Sequence, residues 1–429
     1  MTSDCSSASG CGPSERRLSA AMIEPLRSPG ASALTEACRQ RLRRRESEGL
    51  LRQALVRDRA QEGTPWVIDH GRRLLGFASN DYLGLAHDPR LAAAAATALE
   101  RYGTSASAAG LLGGRTALHA ELEARLTEWL GQEAALVLPS GYQANLAAQA
   151  FLGRHAIVLH DRLNHASLLE ATVLARGRAR RYRHADAAHC ASLLAQPGVE
   201  LIATESLFGM DGDAAPLAAL AEIAAHRSLP LLVDEAHALG VLGPQGNGLA
   251  VSLPADLRPA IIVGTFGKAL ASQGACIAGP EALIDFLRQV AAPAVYTTAL
   301  APAAVAVTLK AIEVLRDEPD RRSILRQRVQ QFVAAIAGRL PLTAQPEGAV
   351  VGLLVGEASR AVEISRRLAD VGFVVPAIRP PTVPEGSSRL RVSLTAAHTE
   401  AQVEALAAAL WACWPREPVP PTTARVPQA

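Results

Sequence analysis

From about residue 90 to residue 310 the chain alternates between two hydrophobic patterns. One is helical, as in LHAELEARLTEWLG (118–131) and LAALAEIAAHRS (217–228), where apolar positions recur at three- and four-residue spacing. The other is a series of short apolar runs without polar alternation: AALVLP (134–139), AIVLH (156–160), ELIATE (200–205), LPLLVDE (229–235) and AIIVGT (260–265). Runs this short suit strands, and a strand with no polar side is buried on both faces. The pattern predicts an α/β fold, with a mainly parallel sheet covered by helices. Ligands of such sheets gather beyond the carboxyl ends of the strands.

After residue 310 the pattern changes. A helical stretch through 321–340 leads into AVVGLLVG (349–356), RAVEISRRLADVG (360–372), FVVPAI (373–378), RLRVSLT (389–395) and AQVEALAAALWACW (401–414). This predicts a smaller C-terminal α+β domain over 311–415, following a large domain over 91–310. RLRVSLT alternates strictly, which puts Arg389, Arg391 and Ser393 on one face. Residues 36–60 are charged and helix-prone, and turns at Pro65 and 69–71 follow, so 36–90 reads as an N-terminal arm with the first strands. Residues 1–35, rich in Ser, Gly, Ala and Pro, and the Pro-rich 416–429 read as disordered extensions.

Composition narrows the classes of function. A formal net charge of +2 on 429 residues points to neither a nucleic-acid nor a membrane partner. No apolar run approaches the roughly 18–20 residues that span a bilayer. The first 33 residues lack the apolar core of a secretory signal. Cysteines 5, 11, 38, 190, 276 and 413 form no CxxC pair, so neither a zinc site nor a disulfide framework is indicated. A reducing cytoplasm fits that usage. Of the 43 basic Lys and Arg residues only Lys268 and Lys310 are lysines. Genome composition accounts for the missing lysines but not for the one kept in IIVGTFGKALASQGA.

Four apolar runs end in residues with chemical potential: Asp161 with His165, Asp234 with His237, Thr265 with Lys268, and Ser140 with Gly141 and Tyr142. Lysine can lose its proton and attack a carbonyl, which arginine cannot. In an apolar pocket that proton is lost more readily. A salt-bridging or phosphate-binding lysine is the plainer alternative. Asp234 at a buried strand end needs a cation, and the protonated ring nitrogen of pyridoxal phosphate supplies one. A helix cap or a magnesium ligand is its alternative. The VDEAH segment also resembles a nucleotide-triphosphatase acid box, but no GxxxxGK[ST] loop accompanies it. SGYQAN offers backbone N–H groups at a helix start near Gln143, where a phosphate can sit, and Thr265 can add a hydroxyl. His237 and His165 suit the cofactor's phenolate oxygen and its ring face, although a lone histidine is more often structural.

SNDYLGL (79–85), SGYQAN (140–145), DRLNHASLLEA (161–171), MDGDAAPL (210–217), VDEAHALGVLGPQGNG (233–248) and TFGKAL (265–270) together resemble the α-oxoamine synthases. These are fold-type I pyridoxal 5'-phosphate transferases that join an amino acid to an acyl thioester. The resemblance covers about residues 45–412. It implies that Lys268 carries the cofactor, that Asp234 faces the pyridine nitrogen and His237 the phenolate oxygen, and that His165 stacks on the ring. It implies cofactor contacts for Gly141, Tyr142 and Thr265, and substrate contacts for Arg52, Asn80, Thr382 and Arg391, the last holding the amino-acid carboxylate. It further implies a homodimer with a shared active site, Thr297 and Thr298 reaching the partner's phosphate. AIRPPTVPEGSSRLRVSLTAAHT (377–399) is similar to the biotin-pathway members, whose substrates are L-alanine and pimeloyl-CoA or pimeloyl-acyl-carrier protein.

Three positions depart from the family pattern. Gly209 stands where relatives usually carry a cofactor-contacting Ser. Ala271 stands where Gly is common. The loop GTSASAAGLLGG (103–114) has Ala at positions often Gly. The alternatives left by the resemblance are another amino acid–thioester pair such as glycine with acetyl-CoA, a transamination, and a non-catalytic subunit of a heterodimer. A non-catalytic subunit typically lacks the lysine.

Overall fold

In the computed structural model, which describes residues 29–52, 56–60 and 65–414, all five apolar runs become strands of one seven-stranded sheet. The order across it is Ala134–Leu138, Ala275–Gly279, Ile261–Thr265, Leu231–Asp234, Val199–Glu205, Ile157–Asp161 and Arg178–Tyr182. The strands from Ile261–Thr265 through Arg178–Tyr182 pair in parallel. Ala275–Gly279 runs antiparallel to both its neighbours. Side chains alternate between two apolar layers. Leu232, Ile261, Val263 and Ile277 pack on one side, and Val233, Ile262 and Cys276 on the other. Each buried aliphatic side chain of this kind contributes about 1.5–3 kcal/mol, and neither face has room for a polar residue. Among the parallel strands inside the sheet, polar residues are therefore held at the strand ends or one residue from them.

Two strands lie outside the apolar runs. Ala275–Gly279 is built of small residues, and Arg178–Tyr182 is an edge strand exposed everywhere except at Tyr182. Charge on an edge strand discourages pairing with another chain. The C-terminal region carries an antiparallel three-stranded sheet in the order Val350–Gly356, Ser388–Ser393, Ala377–Ile378. Helices Asp320–Ile336, Ala358–Asp370 and Glu400–Cys413 accompany it. A further sheet joins the first strands to this region, because Phe373–Val374 pairs in parallel with Arg72–Gly76. The expected boundary at 310/311 falls inside one continuous helix, Pro302–Asp317, which is buried along most of its length.

The chain divides into two compact units after Gln53. In the first, residues 29–35, expected to be disordered, belong to a helix, Pro29–Ser47. Exposed pairs Arg43–Glu36 and Arg44–Glu48 lie along it. The helix expected to continue to residue 60 ends early, since Gly49 adopts φ +66° and turns the chain. Residues 58 and 59 are already in a strand. The remainder of the N-terminal extension and the tail 416–429 lie outside the described residues.

One ionic clamp fixes the sheet edge where the candidate chemistry sits. His184 contacts Asp161 through Nδ1 at 2.9 Å and Asp213 through Nε2 at 2.8 Å. Burial alone lowers the pKa of this imidazole, but the bonds to both carboxylates outweigh it and push the value up to about 10. A raised histidine pKa contributes stability that is complete below the unfolded value of about 6.5 and is lost as pH rises through about 10. The melting temperature of His184→Asn is thus expected to lie below that of the natural chain at pH 6. The gap is expected to close by pH 10.5, and a gap independent of pH contradicts the clamp.

Candidate active site

The parallel strands present their carboxyl ends along one edge of the sheet. Glu205 is the register partner of Asp234, Asp234 of Val263, and Thr265 of Ala275. Beyond Thr265 the chain makes a tight loop, closed by bonds from Phe266 N to Gly274 O and from Ser272 N to Phe266 O, both 2.9 Å. Lys268 stands on this loop, half-buried. Among the described residues its amine has no hydrogen bond or ion pair. Burial lowers its pKa, while the negative charges of Asp234 and Glu205 oppose that shift. A salt-bridging lysine is not what the structure shows.

Asp234 is 5% exposed and firmly held. Asn145 Nδ2 donates to its Oδ2 at 2.7 Å, and Ala236 N to its Oδ1 at 2.9 Å. Asn145 also donates to Ser167 Oγ at 2.9 Å, while its own Oδ1, buried, has no partner. His165 caps the helix Ala166–Leu174 and meets Ser167 Oγ through Nδ1 at 2.7 Å. Its backbone N–H donates to Glu205 Oε1 at 2.6 Å. These bonds fix the imidazole at the rim, where the residue is exposed. Partial burial of the ring lowers its pKa. Burial raises the pKa of Glu205, and neighbouring Asp234 adds to that.

The helix after Ala134–Leu138 starts at Gly141, two residues earlier than expected, with Ser140 as its cap. A Cβ on Gly141 would lie 3.4 Å from the Thr265 side chain, so the helix N-terminus and that hydroxyl are neighbours. Tyr142 is 43% exposed beside them.

The other wall comes from four separate segments. His237 is buried, with Nδ1 2.8 Å from Tyr82 Oη. Burial, helped by the charges of Lys268 and Arg391, takes its pKa well below the ordinary value. Tyr82 donates to Asn80 Oδ1 at 3.1 Å. Arg391 donates to Gly209 O at 2.7 Å, Ser393 Oγ at 2.9 Å, Asn80 Oδ1 at 3.2 Å and Tyr82 Oη at 3.4 Å. Arg389, on the same face, pairs with Asp211. Arg391 is equally buried at 6%, yet among the described residues it has no carboxylate partner. An uncompensated buried guanidinium seeks an anion.

The structure therefore brings together Gly141, Tyr142, Thr265, Asp234, Lys268 and His165 on one side and His237, Asn80 and Arg391 on the other. Thr382 lies exposed in a turn next to the cis Pro380–Pro381 bond, its N–H donating to Arg379 O at 3.1 Å. Arg52 belongs to the separate N-terminal unit. Thr297 and Thr298 line a small cavity with Arg115, His119 and Arg288. Tyr82, Asn145 and Glu205 went unassigned at the level of sequence, although the first two lie inside quoted motifs. The donor set suits pyridoxal phosphate: an unpaired amine for a carbonyl, a fixed carboxylate for a ring nitrogen, and a helix N-terminus with a hydroxyl for a phosphate.

The pattern of the aminotransferase class I and II family matches residues 72–410. The chain belongs to that family. The 8-amino-7-oxononanoate synthase of Alkalilimnicola ehrlichii is 46% identical over 386 residues, 89% of this chain and 98% of the relative. That of Pseudomonas putida (strain ATCC 700007) is 44% identical over 381 residues, 88% and 97% of the two chains. Among solved structures, serine palmitoyltransferase from Sphingomonas wittichii superposes with a TM-score of 0.82 at 27% identity, covering 89% of this chain and 97% of that one. 8-Amino-7-oxononanoate synthase from Francisella tularensis gives 0.69 at 27% identity, with coverage of 79% and 97%. The fold is that of the fold-type I pyridoxal-phosphate enzymes, and this family member is an α-oxoamine synthase.

The lysine loop carries a local strain. Ala271 has φ +49°, a left-handed conformation in which its Cβ is crowded. Ala271→Gly is expected to stabilise the protein by about 1 kcal/mol, read from urea unfolding. A loss of stability contradicts the strain.

Proposed function

We propose that this chain condenses L-alanine with a pimeloyl thioester, releasing CO₂ and the free thiol, to form 8-amino-7-oxononanoate in biotin biosynthesis. The observation that carries the reading is Arg391: a buried cation without a counter-ion among the described residues, tied through Tyr82 to His237 and close enough to Lys268 to lower that amine's pKa. In this reading the amino acid's carboxylate meets Arg391 and its Cα lies beside the amine. Relatives across nearly the whole chain bear the name of that synthase.

Pyridoxal phosphate, when bound, supplies a carbonyl and an electron sink. Gly141, Tyr142 and Thr265 would hold its phosphate, Asp234 its ring nitrogen, His237 its phenolate oxygen, and His165 one ring face. Lys268, whose desolvation favours the neutral amine, takes the Cα proton of alanine and later returns a proton to the same carbon. Arg391 orients the carboxylate until it leaves as CO₂. Asn145 and Ala236 keep the Asp234 carboxylate aimed at the ring position.

The chain works in the cytoplasm as a homodimer with a shared site. Among the described residues no helix is long and apolar enough to cross a membrane. Leu112 and Tyr296, 79% and 84% exposed, flank the Thr297–Thr298 region as apolar surface for a second copy.

The test is release of CO₂ and CoA from L-alanine and pimeloyl-CoA by the cofactor-loaded protein. Lys268→Ala is expected to abolish turnover. Arg391→Lys is expected to raise KM for L-alanine by about tenfold or more, because a point charge replaces a planar fork. Undiminished rates in Lys268→Ala, or an unchanged KM in Arg391→Lys, overturn the assignment of these residues.

A further inference from the structure

Asp234 ends one strand of the large sheet and His165 follows another, with Val199–Glu205 between them. Two neutral side chains join the pair. Asn145 Nδ2 donates to Asp234 Oδ2 at 2.7 Å and to Ser167 Oγ at 2.9 Å. Ser167 Oγ lies 2.7 Å from His165 Nδ1, and the Ser167 N–H donates to the same nitrogen at 3.3 Å. Asp234, Asn145 and Ser167 are buried, so solvent competes little for these bonds. His165 is the one member that reaches the surface. Among the described residues its Nε2 makes no hydrogen bond.

The chemistry of these groups gives each hydrogen a direction. A carboxylate only accepts, so Asn145 turns its NH₂ toward Asp234 and spends the second hydrogen on Ser167. This leaves the Asn145 Oδ1 buried without a partner, a cost that the two donated bonds offset. The opposite orientation would set that oxygen against the carboxylate. Ser167 Oγ accepts from Asn145, and its own hydrogen is left for His165 Nδ1. The Ser167 N–H, which can only donate, points at Nδ1 as well. Nδ1 therefore receives hydrogens and carries none, which in a neutral imidazole places the proton on Nε2. Partial burial and the charge of Lys268 favour the neutral ring, against the opposing charge of Asp234.

We propose that Asn145 and Ser167 are positioning residues that pass the orientation set by the Asp234 carboxylate to His165 and hold its proton on Nε2. The nitrogen left free of the helix cap is then a hydrogen-bond donor, suited to an oxygen of a ligand lying against the ring. One carboxylate thus has two duties: it faces the ring position and, through two neutral side chains, it fixes which nitrogen of the histidine is protonated. The tautomer half of the inference stands on the protein alone. Its use toward a substrate oxygen rests on the condensation proposed above.

The tautomer is read by nuclear magnetic resonance from the ring nitrogens of the full-length protein carrying isotope-labelled histidine, with and without pyridoxal phosphate. His165 is assigned by the loss of its signals in His165→Asn. The natural chain is expected to show a protonated Nε2 and a bare Nδ1 in both states, and a proton on Nδ1 overturns the proposal. Ser167→Ala and Asn145→Ala are each expected to give a mixture of the two tautomers. The first removes the hydroxyl that donates to Nδ1, and the second frees that hydroxyl to turn. A tautomer unchanged in either variant overturns the link that variant removes. Should one variant fail to fold, the natural chain and the other variant still decide. In the assay of L-alanine with pimeloyl-CoA, Ser167→Ala is expected to lower kcat/KM about tenfold, the order of one hydrogen bond. An undiminished value overturns the functional half. If the natural chain itself shows no turnover, the proposed function fails, and the resonance measurement still decides the tautomer.

Discussion

A half-buried amine without a partner among the described residues, set beside a carboxylate fixed by other residues, is the constraint on which the rest of this site depends. Burial favours the neutral form of Lys268, whereas Asp234 and Glu205 favour the charged one. Were Asp234 free to swing, it would pair with the amine and end its chemistry. Asn145 and the Ala236 N–H prevent this by holding both carboxylate oxygens. The sheet supplies the spacing: adjacent parallel strands end in register, so their terminal polar groups meet along one edge while apolar layers exclude polar residues elsewhere.

The second requirement is discrimination between two arginines on one strand. Both are buried and both point toward the segment around residues 209–211. Arg389 is neutralised by Asp211 and serves the fold. Among the described residues Arg391 meets only neutral acceptors, so its charge remains available. A buried cation left in this state costs stability in the free protein, and a substrate carboxylate offsets that cost. The same two-residue spacing thus yields one structural and one binding group, separated by which of them faces an aspartate.

The parallel core was legible because strands buried on both faces have a distinctive run of apolar residues. Ala275–Gly279 and Arg178–Tyr182 were not, since one consists of small residues and the other is a charged edge. The Pro29–Ser47 helix ran against a composition that suggested disorder up to residue 35. At the site, Lys268, Asp234, Thr265 and His165 could be read from strand ends, each a few residues from an apolar run. His237 could be read in the same way, but the wall it forms with Tyr82, Asn80, Gly209 and Arg391 could not be derived from spacing, because these residues are distant in the chain and meet only through tertiary packing.

The most direct test of the central claim is chemical. Borohydride reduction of the protein supplied with pyridoxal phosphate, followed by peptide mapping, is predicted to fix a pyridoxyl group on Lys268 and to leave Lys310 unmodified. Labelling of Lys310 instead, or no label on either lysine, would contradict the account.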